Sequence, residues 1–150
     1  ILYFGYLRPQ GAFAAPAAAL HVKASAFGLQ SPAAFVGLGV FYSLVHAAAE
    51  EYYWRWFVFG GLRGVTVPWA AILGSAVGFT AHHVVVLAVY FGWGSPWTWL
   101  LSLSVGVGGA VWAWLYARSG SLLGPWLSHV LADAAIFTVG FDLLRQPSLG

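Results

Sequence analysis

The chain has no cysteine. Disulfides, thiol catalysis, palmitoylation and thiolate metal sites are thereby excluded, and no redox compartment can be read from it. Methionine is absent too, so Ile1 is not an initiator, and the expectation is an N-terminus that has been trimmed or belongs to a longer chain. Without asparagine there is no N-glycosylation acceptor. Charge is scarce: six Lys or Arg and four Asp or Glu make 7% of 150 residues, where soluble domains carry roughly 25%. The +2 balance is scattered, with no basic run. Nothing marks a nucleic-acid surface or a polybasic lipid-binding patch, and nucleic acid is not an expected partner. No charged n-region with a small-residue cleavage site precedes the first apolar stretch, so no signal peptide is set aside.

What is present is apolar. With 61% hydrophobic residues and a mean hydropathy of +0.80, the composition predicts an integral membrane protein partnered by the lipid bilayer. The chain has room for about four to six spans of roughly 20 residues. The expected fold is therefore an all-α, polytopic transmembrane helix bundle in one domain, 1–150, and the lack of strand alternation argues against a β-barrel. The block 1–20, broken by "RPQG", is too short on either side to span, and reads as the remnant of a truncated span or as an interfacial segment. Residues 32–62 run apolar over about 31 residues, roughly 46 Å as one helix, which predicts a strong tilt or a break. Further spans are expected over 68–91, 96–117 and 121–144, with "RQPSLG" as a polar exit.

Small residues at four-residue spacing (Gly74 and Gly78; Ser102, Gly106 and Ala110) suit close helix packing. "VGVGG" follows no strand and opens no βαβ unit, so it reads as packing rather than as a dinucleotide loop. Trp69, Trp93, Trp97 and Trp99 suit an interfacial belt, whereas Trp54, Trp56, Trp112 and Trp114 do not all fit it. Arg63 and Arg118 fall on one side, opposite the uncharged loop 92–97, which favours their side as cytoplasmic; Lys23 and Arg145 count against this.

Three of the ten charges crowd into "EEYYWR", residues 50–55. An ionisable group at mid-bilayer costs about 2.5–3.5 kcal/mol on insertion scales and usually marks function. At 1.5 Å per residue, Glu50 lies about 18 Å from its span end, His83 about 22 Å, His129 about 12 Å and Asp133 about 18 Å, so three spans deliver polar groups to one middle layer. Residues four apart share a helix face: Glu51 with Arg55, Phe79 with His83, His129 with Asp133. Glu51 is thus the structural carboxylate, salt-bridged to Arg55, while Glu50, about 100° round the helix and without that partner, suits general-base work on a water. His83 could orient that water. His129 and Asp133 could stabilise an oxyanion, or Asp133 could accept the His129 ring N–H and leave the imidazole as the electrophile. This outlines a peptidase.

The same residues admit a metal. Glu50, His83 and His129 form a two-His, one-carboxylate set that could hold zinc with an open position, although no HExxH is present. The metal-free reading is preferred. For His21, His46 and His82 the bland reading, a histidine hydrogen-bonded to a neighbouring helix, is preferred; His46, on the Glu50 face, could support it, and His82 is expected to point away from the His83 face. For Glu51 and Arg55 the bland reading is a buried ion pair fixing helix geometry, and for Asp142 a charge at the interface.

At these residues, "EEYYWR" (Glu50, Glu51, Arg55), "FTAHH" (Phe79, His83) and "HVLAD" (His129), the chain resembles the CPBP family of intramembrane CAAX prenyl proteases and bacteriocin-processing or immunity proteins, whose pattern is EExxxR, FxxxH and HxxxN on successive helices. Asp133 departs from the family's Asn, which puts its oxyanion role in question. The resemblance covers about residues 33–144. It implies a glutamate-dependent intramembrane endopeptidase with Glu50 and His83 activating water and His129 with Asp133 at the oxyanion. The small size is similar to myxosortase-like members that process C-terminal membrane-sorting tails. The implied partner is a membrane-anchored protein or peptide substrate, and the implied location the cytoplasmic membrane of a prokaryote. The competing expectation is a non-catalytic membrane immunity or scaffold protein of the same fold.

Overall fold

The structure, a computed structural model, describes residues 3–11 and 13–146; the end of the expected polar exit, 147–150, lies outside them. Every regular element among the described residues is helical, as the composition predicts. After a π-helical turn, Tyr3–Leu7, come α1 (Ala14–Ala26), α2 (Pro32–Arg63), α3 (Pro68–Phe91), α4 (Pro96–Ser119) and α5 (Leu123–Arg145). The last four are long and apolar enough to cross a membrane. Large side chains such as Leu131, Val77, Leu103 and Ile136 point outward, as a lipid-facing surface requires.

Local chemistry sets the helix ends. Ser31 and Ser95 accept hydrogen bonds from the amides of Ala34 and Trp97, and proline follows each as the first helical residue, where its missing N–H costs nothing. Gly92 (φ 83°) and Gly120 (φ 67°) end α3 and α4 in backbone conformations that side chains rarely adopt.

The long apolar run forms one unbroken helix. Its α-helical start, Pro32–Phe41, passes into π-helical turns at Tyr42–His46, returns to α over Ala47–Glu51, and is π-helical again from Tyr52 to Phe59. The wider turns flank Glu50 and Glu51 on both sides, and such turns recur at functional sites because they re-aim side chains.

α3 and α4 form the main helical hairpin. The predicted small-residue rows lie at close approaches. A Cβ built on Gly106 would stand 2.7 Å from Thr80 Oγ1, one on Gly74 2.9 Å from Leu62 Cδ1, and one on Gly78 2.6 Å from Trp54 Cζ3.

The N-terminal block forms α1 instead of a span: its 13 residues, about 20 Å of helix, are too short to cross, and it packs against α3 and α5. Asp142 anchors this segment, accepting hydrogen bonds from Tyr3 Oη and Gln146 Nε2, each at 2.9 Å, and pairing with Arg8 at 3.2 Å. His21 differs from expectation, since its Nε2 is enclosed without a hydrogen-bond partner among the described residues. Lys23 lies 5.5 Å from the Tyr90 ring, so Arg8, Lys23 and Arg145 gather at one end of the bundle while Arg63 and Arg118 occupy the other. The segment before α2 thus adds Arg8 to the end that holds Lys23 and Arg145, three basic residues against two.

Candidate active site

The predicted middle layer forms. α2 supplies Glu50, Glu51 and Arg55, α3 supplies Phe79 and His83, and α5 supplies His129 and Asp133.

Glu51 and Arg55, one turn apart on α2, are both fully buried, with Arg55 Nε 2.9 Å from Glu51 Oε2. Arg55 has little water to solvate it, and aromatic faces take that place: its guanidinium carbon lies 4.6 Å from the centroid of Phe79 and 5.1 Å from that of Trp112. Its Nη2 reaches the Gly109 carbonyl at 3.4 Å, and a Cβ at Gly109 would stand 3.0 Å from Phe79 Cδ1. Glu51 also does what the sequence left open to Asp133. Its Oε1 sits 2.8 Å from His129 Nδ1, so Glu51 orients the imidazole, and Asp133 is 3.6 Å away from the other ring nitrogen. The His129 ring, stacked on Trp112 at 4.2 Å, turns its Nδ1 toward Glu51.

Glu50, which helix spacing turns away from Arg55, has imidazole partners instead. His82 Nε2 lies 3.1 Å from its Oε1, and His46 Nδ1 and His129 Nε2 each lie 3.6 Å from its Oε2. His46 stands beside Glu50 on the face that helix spacing gives it, and its ring stacks on Tyr42 at 4.6 Å. His82 does not point away. Helix periodicity separates it from His83 by about 100°, but α3 approaches α2 so that both imidazoles face the carboxylate. His83 Nδ1 donates to the Phe79 carbonyl at 2.9 Å.

Phe79, 1% exposed, is the hub, in aromatic contact with Trp54, His82, His83, Trp112 and His129. Trp54 and Trp112, which fit no interfacial belt, belong here. Their mid-span positions were the available signal.

The metal-ligand set expected from the sequence, Glu50, His83 and His129, is not the one brought closest. Ligand atoms of Glu50, His82 and His83 lie within 4.8 Å of one another, while the Nδ1 of His129 is engaged by Glu51. A two-His, one-carboxylate trio could accept a divalent cation; within it His82 Nε2 and Glu50 Oε1 stand at hydrogen-bond distance, 3.1 Å.

This arrangement can hold a water between a carboxylate and two imidazoles, beside a third imidazole and a second carboxyl. No curated protein and no solved structure matches the chain. Residues 32–135 match the family described as type II CAAX prenyl endopeptidase Rce1-like, and these residues hold all three motifs and the four side chains of the expected site. The chain belongs to this family of intramembrane CAAX-type endopeptidases.

Proposed function

We propose that the chain is a glutamate-dependent, metal-free intramembrane endopeptidase that cuts a membrane-anchored protein or peptide near its C-terminus, in the cytoplasmic membrane of a prokaryote. The observation that supports it is the placement of Glu50 at mid-span, facing imidazoles from its own helix and from α3 and α5.

In this reading a water sits between Glu50 Oε2 and His83. Glu50 takes a proton from it as the oxygen attacks the scissile carbonyl, and the developing oxyanion is met by His129 as an imidazolium, its Nδ1–H held by Glu51 and its Nε2–H toward the oxyanion, and by Asp133 carrying its own proton. Collapse breaks the C–N bond, and the proton held by Glu50 passes to the leaving amine. Glu51 keeps the His129 ring aimed and Arg55 neutralises Glu51.

The test compares purified wild type with Glu50→Gln and His83→Ala on a fluorescence-quenched farnesylated CAAX peptide and on an unprenylated peptide carrying a transmembrane anchor. Both variants lose about 10²–10⁴-fold in kcat while remaining folded, and a chelator leaves wild-type activity in place. Full activity in Glu50→Gln removes the base, and loss with chelator reinstates a metal. The peptide that is cut identifies the substrate class.

A further inference from the structure

The structure leaves His82 without a part in the reaction just described, although it makes the shortest polar contact to Glu50. We propose that His82 is the positioning residue that holds the Glu50 carboxylate, and that the adjacent histidines of α3 divide their work: His82 donates to Glu50, and His83 accepts from the water. The inference rests on the reading of Glu50 as the base.

The division follows from what each ring nitrogen meets. A backbone carbonyl only accepts, so His83 Nδ1, 2.9 Å from the Phe79 oxygen, carries the ring proton. The Nε2 of that neutral ring is then a bare lone pair, which can receive a water O–H and cannot donate to a carboxylate. His82 is the reverse. Its Nδ1 is enclosed with no hydrogen-bond partner among the described residues, and its Nε2 stands 3.1 Å from Glu50 Oε1. A carboxylate acting as a base must begin ionised and can only accept, so Nε2 carries the proton.

One consequence concerns which oxygen of Glu50 reacts. With Oε1 engaged by His82, Oε2 is left facing His46 Nδ1 and His129 Nε2, both at 3.6 Å, outside direct hydrogen-bond range. Oε2 therefore has no direct hydrogen-bond donor among the described residues, so it is the oxygen that takes the proton.

His82 is also the neighbour best placed to fix Glu50 in space. His46 lies one turn away on the same helix and moves with it. His82 belongs to α3, so its hydrogen bond sets the carboxylate relative to His83. Its ring is held in turn, lying parallel to Trp54 (6°, centroids 5.7 Å apart) and edge-on to Phe79 at 5.4 Å.

Two substitutions separate hydrogen bond from packing. His82→Phe keeps a ring against Trp54 and removes the donor, whereas His82→Gln supplies an amide N–H near the position of Nε2. On whichever peptide probe the wild type cleaves, His82→Phe lowers kcat by about 10- to 100-fold with KM changed by less than about twofold, the loss expected for a hydrogen bond to a charged group. His82→Gln recovers at least about tenfold of that loss where the donor is what matters, and His46→Phe loses less than His82→Phe. Infrared difference spectra of the same preparations report the contact itself: the carboxylate band identified by its disappearance in Glu50→Gln shifts in His82→Phe and moves back in His82→Gln. An unshifted band in His82→Phe, wild-type kcat in His82→Phe, or a kcat in His82→Gln as low as in His82→Phe overturns the proposal. A wild type that cleaves neither probe overturns the reading of Glu50 as a base and with it the catalytic part of His82, while the infrared band still decides the hydrogen bond.

Discussion

Glu51 shows how one buried carboxylate can serve two partners. It spends one oxygen on Arg55 and the other on His129, at 2.9 and 2.8 Å, with no water-exposed surface of its own. Removing one member of a buried pair costs about 3–5 kcal/mol, because the other charge is stranded where water cannot reach it. Arg55→Leu is therefore expected to lower the midpoint of thermal unfolding in detergent sharply. Replacing both, as Glu51→Leu with Arg55→Leu, recovers much of that stability and none of the activity, since His129 loses its acceptor. A double variant as unstable as the single would mean that the ion pair is not what Arg55 provides. The pair was legible in "EEYYWR" by spacing alone. The second bond of Glu51 was not, because it crosses from residue 51 to residue 129.

Among the elements, α3 carries the densest set of consequences. One face presents Phe79 and His83 to the site, as their four-residue spacing predicts, and the neighbouring face presents Gly78 to Trp54. A methyl group at Gly78 would stand 2.6 Å from the indole, too close for both to stay in place. Gly78→Ala is thus expected to shift Trp54, loosen the ring that stacks on His82, and lower kcat by about tenfold, with overpacking that costs about 1–3 kcal/mol of stability. Activity and Trp fluorescence both matching wild type would show that the α2–α3 contact is slack enough to absorb the methyl. α2 differs in kind: no residue pattern in the run 32–62 announces its π-helical turns.

For the molecule as a whole, orientation is set by charge. Of the six basic residues, Arg55 is buried, Arg63 and Arg118 lie at one end, and Arg8, Lys23 and Arg145 at the other. The excess of basic residues favours the Arg145 end as cytoplasmic. The absence of cysteine makes this simple to test, since single cysteines introduced at exposed positions are the sole labelling sites. In intact cells Ser119→Cys is expected to react with an impermeant thiol reagent and Gly94→Cys to react only after lysis; the opposite pattern reverses the topology.

The sequence by itself determined the class of molecule, because scarcity of charge over long apolar runs leaves a helical membrane bundle as the form that satisfies its backbone in lipid. It also determined the candidate residues on each span and the Glu51–Arg55 pair, since helix spacing places residues four apart on one face. Tertiary structure alone decided which partner each polar group meets across helices. It gave Glu51, not Asp133, to His129, brought His82 to Glu50, placed Trp54 and Trp112 around the site, and folded α1 back on the bundle. The physical reason is that periodicity fixes the direction of a side chain about its own helix axis, whereas the rotation and approach of neighbouring helices depend on glycine contacts and aromatic packing distributed over the whole chain.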